Sequence, residues 1–124
     1  MALKFLVVDD SVTMRRIVIN SLKNLGYNDY IEASDGAEAL SKLDSDNAIS
    51  FVITDWNMPN MSGLELTKSI RANPTYGSLP ILMVTTRGVK EDIIEALQSK
   101  VSNYIIKPFT PQILKEKIEQ ILNS

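Results

Sequence analysis

Four apolar runs in this 124-residue chain end on residues suited to phosphoryl transfer. Leu6-Val7-Val8 leads into Asp9-Asp10, and Phe51-Val52-Ile53-Thr54 into Asp55. Ile81-Leu82-Met83-Val84 leads into Thr85-Thr86, and Tyr104-Ile105-Ile106 into Lys107-Pro108. If these runs are strands of one parallel sheet, three carboxylates, a hydroxyl and an ammonium converge at its carboxyl-end rim, where open α/β sheets bind their ligands. Carboxylates gathered so closely repel one another and require a cation between them. The hard divalent ion that suits oxygen ligands and phosphate is Mg²⁺.

Such a convergence needs strands and helices in alternation, and the spacing of apolar residues supplies it. Strands are expected over 4–8, 30–33, 51–54, 80–84 and 103–106. Met14, Ile17, Val18, Ser21, Leu22 and Leu25 recur at helical spacing, with Gly26 as a left-handed stop. Ala37, Leu40 and Leu43 mark a second helix after the Asp35-Gly36 turn. A loop over 55–62 holds Pro59 and is closed by Gly63, and Leu64, Leu66, Thr67 and Ile70 form a third helix that stops before Asn73-Pro74. Ile93, Ile94 and Leu97 mark the fourth. Thr110-Pro111, a cap followed by proline at the first turn, opens a fifth helix that runs through Ile113, Leu114, Ile118, Ile121 and Leu122. Alternation of this kind implies right-handed βαβ units, a parallel sheet and helices on both faces. The unbroken apolar character of the first, third and fourth strands fits central strands buried on both sides.

Composition narrows the chemistry further. A chain of 124 residues is one ordinary domain, and its 44% hydrophobic content supports a core without disulfides or metal staples. The formal net charge of −2 gives no basic bias towards nucleic acid. The absence of cysteine and histidine removes thiol catalysis, imidazole general-base chemistry and the common zinc sites. No run approaches the roughly 20 apolar residues of a membrane span, and the start of the chain does not read as a signal peptide. A single domain over 1–124 with no output domain is expected, in the cytoplasm.

Val7-Val8-Asp9-Asp10-Ser11, the stretch from Asp55 through Trp56-Asn57-Met58-Pro59 to Gly63, Thr85-Thr86 and Lys107-Pro108-Phe109 together resemble a response-regulator receiver domain, over the whole chain. The resemblance implies a flavodoxin-like, doubly wound five-stranded parallel sheet in the order 2-1-3-4-5 with five helices. It implies that Asp55 accepts a phosphoryl group from a phosphohistidine on a partner kinase. Asp10, Asp55 and the Asn57 carbonyl would hold Mg²⁺, with Asp9 helping through water. Lys107 would pair with one phosphoryl oxygen, and the Thr85 hydroxyl would move to another while Tyr104 turns inward. It further implies a monomeric chemotaxis regulator that binds the flagellar motor switch, with a dedicated phosphatase as a further partner. Its output face would carry Lys90, Ile93, Leu97, Tyr104 and Lys117. On that view the chain is a signalling phosphoacceptor, not an enzyme, that promotes its own phosphorylation and dephosphorylation. Trp56 is expected as a partly exposed ring beside the site, and Arg87, two residues after Thr85, is expected at a variable position near the phosphoryl group.

Singly, these residues admit plainer readings: Asp9-Asp10 as a helix cap, Lys107 as a solvated strand end, Tyr104 as an ordinary sheet residue. A phosphorelay shuttle or phosphate sink would use the same site. A phosphohydrolase of the haloacid-dehalogenase type also combines a strand-end Asp with Mg²⁺, but needs an acid two residues after its nucleophile. Asn57 stands there after Asp55, and Ser11 after Asp9. The chain departs from the family at three places. Ser62 replaces an acidic residue, which bears on helix capping. Ser99-Lys100-Val101 replaces a turn built on small residues and glycine. Asn103 replaces a frequent glycine, and asparagine tolerates positive φ.

Overall fold

The computed structural model describes residues 3–86 and 90–123, with all side chains among them except those of Lys90 and Glu91. Among the described residues the chain forms β1 (Phe5–Val8), α1 (Val12–Asn24), β2 (Tyr30–Ala33), α2 (Gly36–Ser45), β3 (Phe51–Asp55), α3 (Gly63–Arg71), β4 (Ile81–Thr85), α4 (Lys90–Gln98), β5 (Asn103–Ile106) and α5 (Pro111–Leu122). The strands form one sheet in the order β2-β1-β3-β4-β5, and every pair is parallel. The expected strands are all present, with shifts at their ends. β3 runs on through Asp55, which pairs with Val84, and β4 runs on through Thr85, which pairs with Ile106. Pro80 falls outside β4: it has no N–H to give the ladder, although its carbonyl accepts from Val52.

Side chains alternate between the two faces of the sheet and divide the core in two. Phe5, Val7, Phe51, Ile53, Leu82, Val84 and Ile105 pack with Val18, Ile19 and Leu22 of α1 and Leu114 and Ile118 of α5. Leu6, Val8, Val52, Ile81 and Met83 pack with Ala39 and Leu43 of α2, Leu66 and Ile70 of α3 and Ala96 of α4. Truncating one of these fully buried side chains to alanine typically costs about 2–5 kcal/mol. Ile17, which shares the helical spacing of Val18 and Leu22, is 43% exposed. It borders a shallow apolar groove with Met14, Thr86, Lys107, Pro108 and Phe109. The buried face of α1 is the narrower stripe Val18, Ile19, Ser21 and Leu22.

Helix ends follow local chemistry. Ser11, Asp35, Ser62 and Thr110 each accept a backbone N–H three residues on, from Met14, Glu38, Glu65 and Ile113. Ser62 does more, because the Glu65 carboxylate returns to the Ser62 N–H at 3.1 Å and completes a reciprocal capping box. After α1, Gly26 takes φ +92°, with Gly26 N–H donating to Lys23 O and Tyr27 N–H to Leu22 O. The same pair of bonds closes α4, where Lys100 N–H donates to Leu97 O and Val101 N–H to Ala96 O. Here the left-handed residue is Lys100, at φ +71°, while Asn103 lies within β5. The glycine-like turn therefore survives with a lysine in it, and its carbonyl accepts from Arg71 Nε at 2.9 Å. Arg71 also donates to the carbonyls of Gly77 and Leu79, tying the end of α3 to the strand entry of β4 and the α4–β5 turn.

A side chain at positive φ costs roughly 1–2 kcal/mol, partly offset in a glycine variant by a freer unfolded chain. Lys100→Gly is therefore expected to raise stability by about 0.5–1 kcal/mol. Urea unfolding followed by circular dichroism measures this, and an unchanged midpoint would mean that the turn carries no strain.

Candidate functional site

Strand register alone brings the acidic residues together. Val8 pairs with Thr54, so the next residues along, Asp9 and Asp55, stand side by side at the rim. Thr85 pairs with Ile106, which sets Lys107 just beyond them, and the Lys107 N–H donates to the Thr85 carbonyl at 2.8 Å. Asp55 follows the same alternation as Phe51 and Ile53, towards the face that α1 and α5 cover. Thr85 alternates with Ile81 and Met83, towards the opposite face, where the Tyr104 ring also packs.

Asp9, Asp10 and Asp55 each offer a carboxylate oxygen within 4.8 Å of the others. Asp9 and Asp55 are buried, and Asp10 is exposed. Lys107 Nζ lies 3.3 Å from Asp55 Oδ1 and 3.5 Å from Asp9 Oδ2, with its side chain only 14% exposed. Asp9 Oδ1 accepts from the Ser11 N–H at 2.9 Å, and Asp55 Oδ1 from the Trp56 N–H at 2.8 Å. Burial holds the Asp9 carboxyl above the ordinary carboxylate range. The Asp55 charge pushes the same way, while the Ser11 N–H and Lys107 oppose it. Three hard oxygen donors, short of positive charge and free of sulfur or imidazole, match what a small divalent ion such as Mg²⁺ takes.

The loop after β3 is held close to the acceptor. The Gly63 N–H donates to Trp56 O at 2.8 Å, and Asn60 takes φ +68° within the turn. A Cβ on Gly63 would come within 2.0 Å of the Asp55 carbonyl oxygen, an approach only glycine permits. The Thr54 hydroxyl donates to that carbonyl at 2.9 Å. Asn57 is exposed in this loop. Trp56, expected to be partly exposed, is 5% exposed and belongs to the core that includes Leu64 and Leu66.

The structure brings Asp9, Asp10, Asp55 and Lys107 to one point, with Thr85 on the neighbouring strand. Of the expected partner face, Tyr104 is half-buried and sits 5.4 Å under Lys117 Nζ, a cation–π contact that no sequence spacing announced. Leu97 is 48% exposed and Ile93 half-buried on α4. Lys90 starts α4, but its side chain, like Arg87 as a whole, lies outside the described residues. Reading by motif also missed Arg15, whose guanidinium reaches the Asp9 carbonyl.

The response regulator receiver domain family matches residues 5–119 of the chain. The chain belongs to this family. The receiver is 54% identical over 122 residues to the chemotaxis protein CheY1 of Helicobacter pylori (strain J99), covering 98% of each. It is 54% identical over 122 residues to a chemotaxis protein CheY homolog of Campylobacter jejuni subsp. jejuni, covering 98% of this chain and 94% of that one. It superposes on the chemotaxis response regulator CheY4 of Vibrio cholerae with a TM-score of 0.89 at 35% identity, covering 98% and 99% of the two chains. No helix among the described residues of the receiver is long and apolar enough to cross a membrane.

The raised Asp9 carboxyl gives a stability prediction. Folded chains bind its proton before unfolded ones do, so the ionised form opposes folding above that range. In metal-free buffer near neutral pH, Asp9→Asn should therefore melt a few degrees higher than the wild type. The gap should narrow as pH falls into the acid range where wild-type Asp9 takes up its proton. Calorimetry with a chelator present measures both effects, and a lower midpoint in the variant would contradict them.

Proposed function

We propose that the protein is a chemotaxis response regulator, phosphorylated on Asp55 by a partner histidine kinase with Mg²⁺, whose phosphorylated form acts on the flagellar motor switch. The observation that carries this reading is Lys107 Nζ at 3.3 Å from Asp55 and 3.5 Å from Asp9, beside a third carboxylate. A lone strand-end aspartate needs no such company. A phosphoryl acceptor needs a held carboxylate, a fixed cation and oxygen ligands for a metal. The family and the names of the similar chains support the signalling role.

In this reading an Asp55 carboxylate oxygen forms the new P–O bond while the P–N bond of the donor's phosphohistidine breaks, and the imidazole leaves with the electron pair. Asp9, Asp10, Asp55 and the Asn57 carbonyl would hold Mg²⁺. When bound, the ion neutralises charge on the transferred group. Lys107 offers its ammonium to a phosphoryl oxygen in place of the Asp55 oxygen it now pairs with. The Thr85 hydroxyl approaches another, and its movement makes room on the face where Tyr104 packs. Tyr104 and Lys117, with Ile93, Leu97 and Lys90 of α4, then form the surface that meets the motor component. Cations, an apolar stripe and one aromatic suit an acidic amphipathic segment. The chain itself turns over no separate substrate, and its only chemistry is on its own carboxylate.

Asp55→Asn should abolish stable phosphorylation, because an amide oxygen is a poor nucleophile. Mass spectrometry after incubation with acetyl phosphate and Mg²⁺ tests this, and an unchanged phosphoryl adduct in the variant would move the acceptor elsewhere. Separately, Mg²⁺ should bind the unphosphorylated protein and change Trp56 fluorescence. Asp10→Ala should weaken that binding by about tenfold or more. Asp44→Ala should leave it unchanged, since Asp44 is bonded to Tyr76 at the end of α2. Equal titrations for the two variants would rule out the metal site.

A further inference from the structure

Asp10 is the least secured member of the acid cluster. Its carboxylate must stay within 4.8 Å of two others, yet both ion pairs of Lys107 go to Asp9 and Asp55. Before any ion arrives, repulsion drives Asp10 outward. What opposes that movement has to act through the backbone.

The peptide between Asp9 and Asp10 lies in a gap between two ladders. The last pairing of β1 is Val8, although the Asp9 N–H still donates to Ala33 O at 3.2 Å. The helical ladder of α1 begins with Arg15 N–H donating to Ser11 O at 3.0 Å. The Asp9 carbonyl belongs to neither. Arg15 fills the gap: its side chain folds back along the first turn of α1, as helical side chains do, and Nη1 donates to Asp9 O. Nε of the same planar group donates to Glu32 Oε1 on β2 at 3.0 Å. The guanidinium is thus gripped from two sides, with its side chain only 13% exposed, while the adjacent Arg16 is exposed.

We propose that Arg15 is a positioning residue of the metal and phosphoryl site, pinning the Asp9–Asp10 peptide so that both carboxylates stay aimed at Asp55. The inference rests on the reading of that site as a Mg²⁺ site. A carbonyl bonded only to water leaves the Asp9 ψ and Asp10 φ torsions free to swing a carboxylate away. A rigid fork bonded to the carbonyl and to Glu32 holds them. Glu32 is part of the device because it orients the fork.

Charge alone makes the opposite forecast, so the two roles separate cleanly. A guanidinium near three carboxylates repels an incoming cation, and if Arg15 were only a nearby charge its removal would tighten Mg²⁺ binding. The test is a titration of metal-free protein with Mg²⁺, followed by Trp56 fluorescence, on wild type, Arg15→Ala, Arg15→Lys and Arg16→Ala. Positioning predicts about tenfold weaker binding in both Arg15 variants. The lysine variant weakens because it keeps the charge but cannot span both acceptors, and Arg16→Ala binds as the wild type does. A second readout needs no metal: in chelator, the Asp10 and Ser11 amide resonances should shift and broaden in Arg15→Lys, with the thermal midpoint within a few degrees of wild type. Arg15→Lys also serves if the alanine variant fails to fold. Equal or tighter Mg²⁺ binding in the Arg15 variants, or unmoved Asp10 and Ser11 resonances, would overturn the proposal. A wild type that gives no Mg²⁺ response, with every variant equally silent, would instead remove the metal reading and this inference with it.

Discussion

Mutual repulsion among three carboxylates at the rim of the sheet is the constraint around which the molecule is arranged. Strand register sets Asp9 beside Asp55, and Asp10 follows directly, so that carboxylate oxygens of all three lie within 4.8 Å of one another. The cost is visible in the buried Asp9 carboxyl, held above its ordinary range. Lys107 offsets part of it, and the ammonium stays in place because its own backbone N–H is bonded to the end of β4. Behind Asp55, the close approach of Gly63 and the capping box of α3 fix where the loop returns.

The same alternation that packs the core gives the site two sides. Asp55 and Lys107 are linked on the side of α1 and α5, whereas Thr85 and Tyr104 face α2, α3 and α4. Lys107 and Thr85 are neighbours through backbone, so a single hydrogen bond links the two sides. Tyr104 lies on that second side, half-buried under Lys117. A parallel sheet makes such a link short, because all its strands end at the same rim.

Much of this was legible in the sequence because the signals were of the periodic kind. Unbroken apolar runs gave the strands, and the residues that ended them gave the acids and the lysine. Gly26 announced its own left-handed turn. What escaped depended on tertiary context. Ile17 has helical spacing but falls just outside the buried stripe of α1. Lys100 holds a left-handed position that its residue type disfavours, and the sequence pointed to Asn103 instead. Lys117 meets Tyr104 from another element, which no spacing encodes. Arg15 was invisible for a different reason: its partner is a backbone carbonyl, and carbonyls leave no mark in a sequence.

Trp56 has the last consequence. The indole is 5% exposed, yet its own peptide N–H is bonded to the Asp55 carboxylate at 2.8 Å. A ring so buried is poorly accessible to a charged collisional quencher such as iodide. What does reach it is the electric field of the neighbouring carboxylate, which changes whenever charge is added or cancelled there. The single tryptophan of this protein therefore sits where a change of charge at the rim acts on it directly, from beneath.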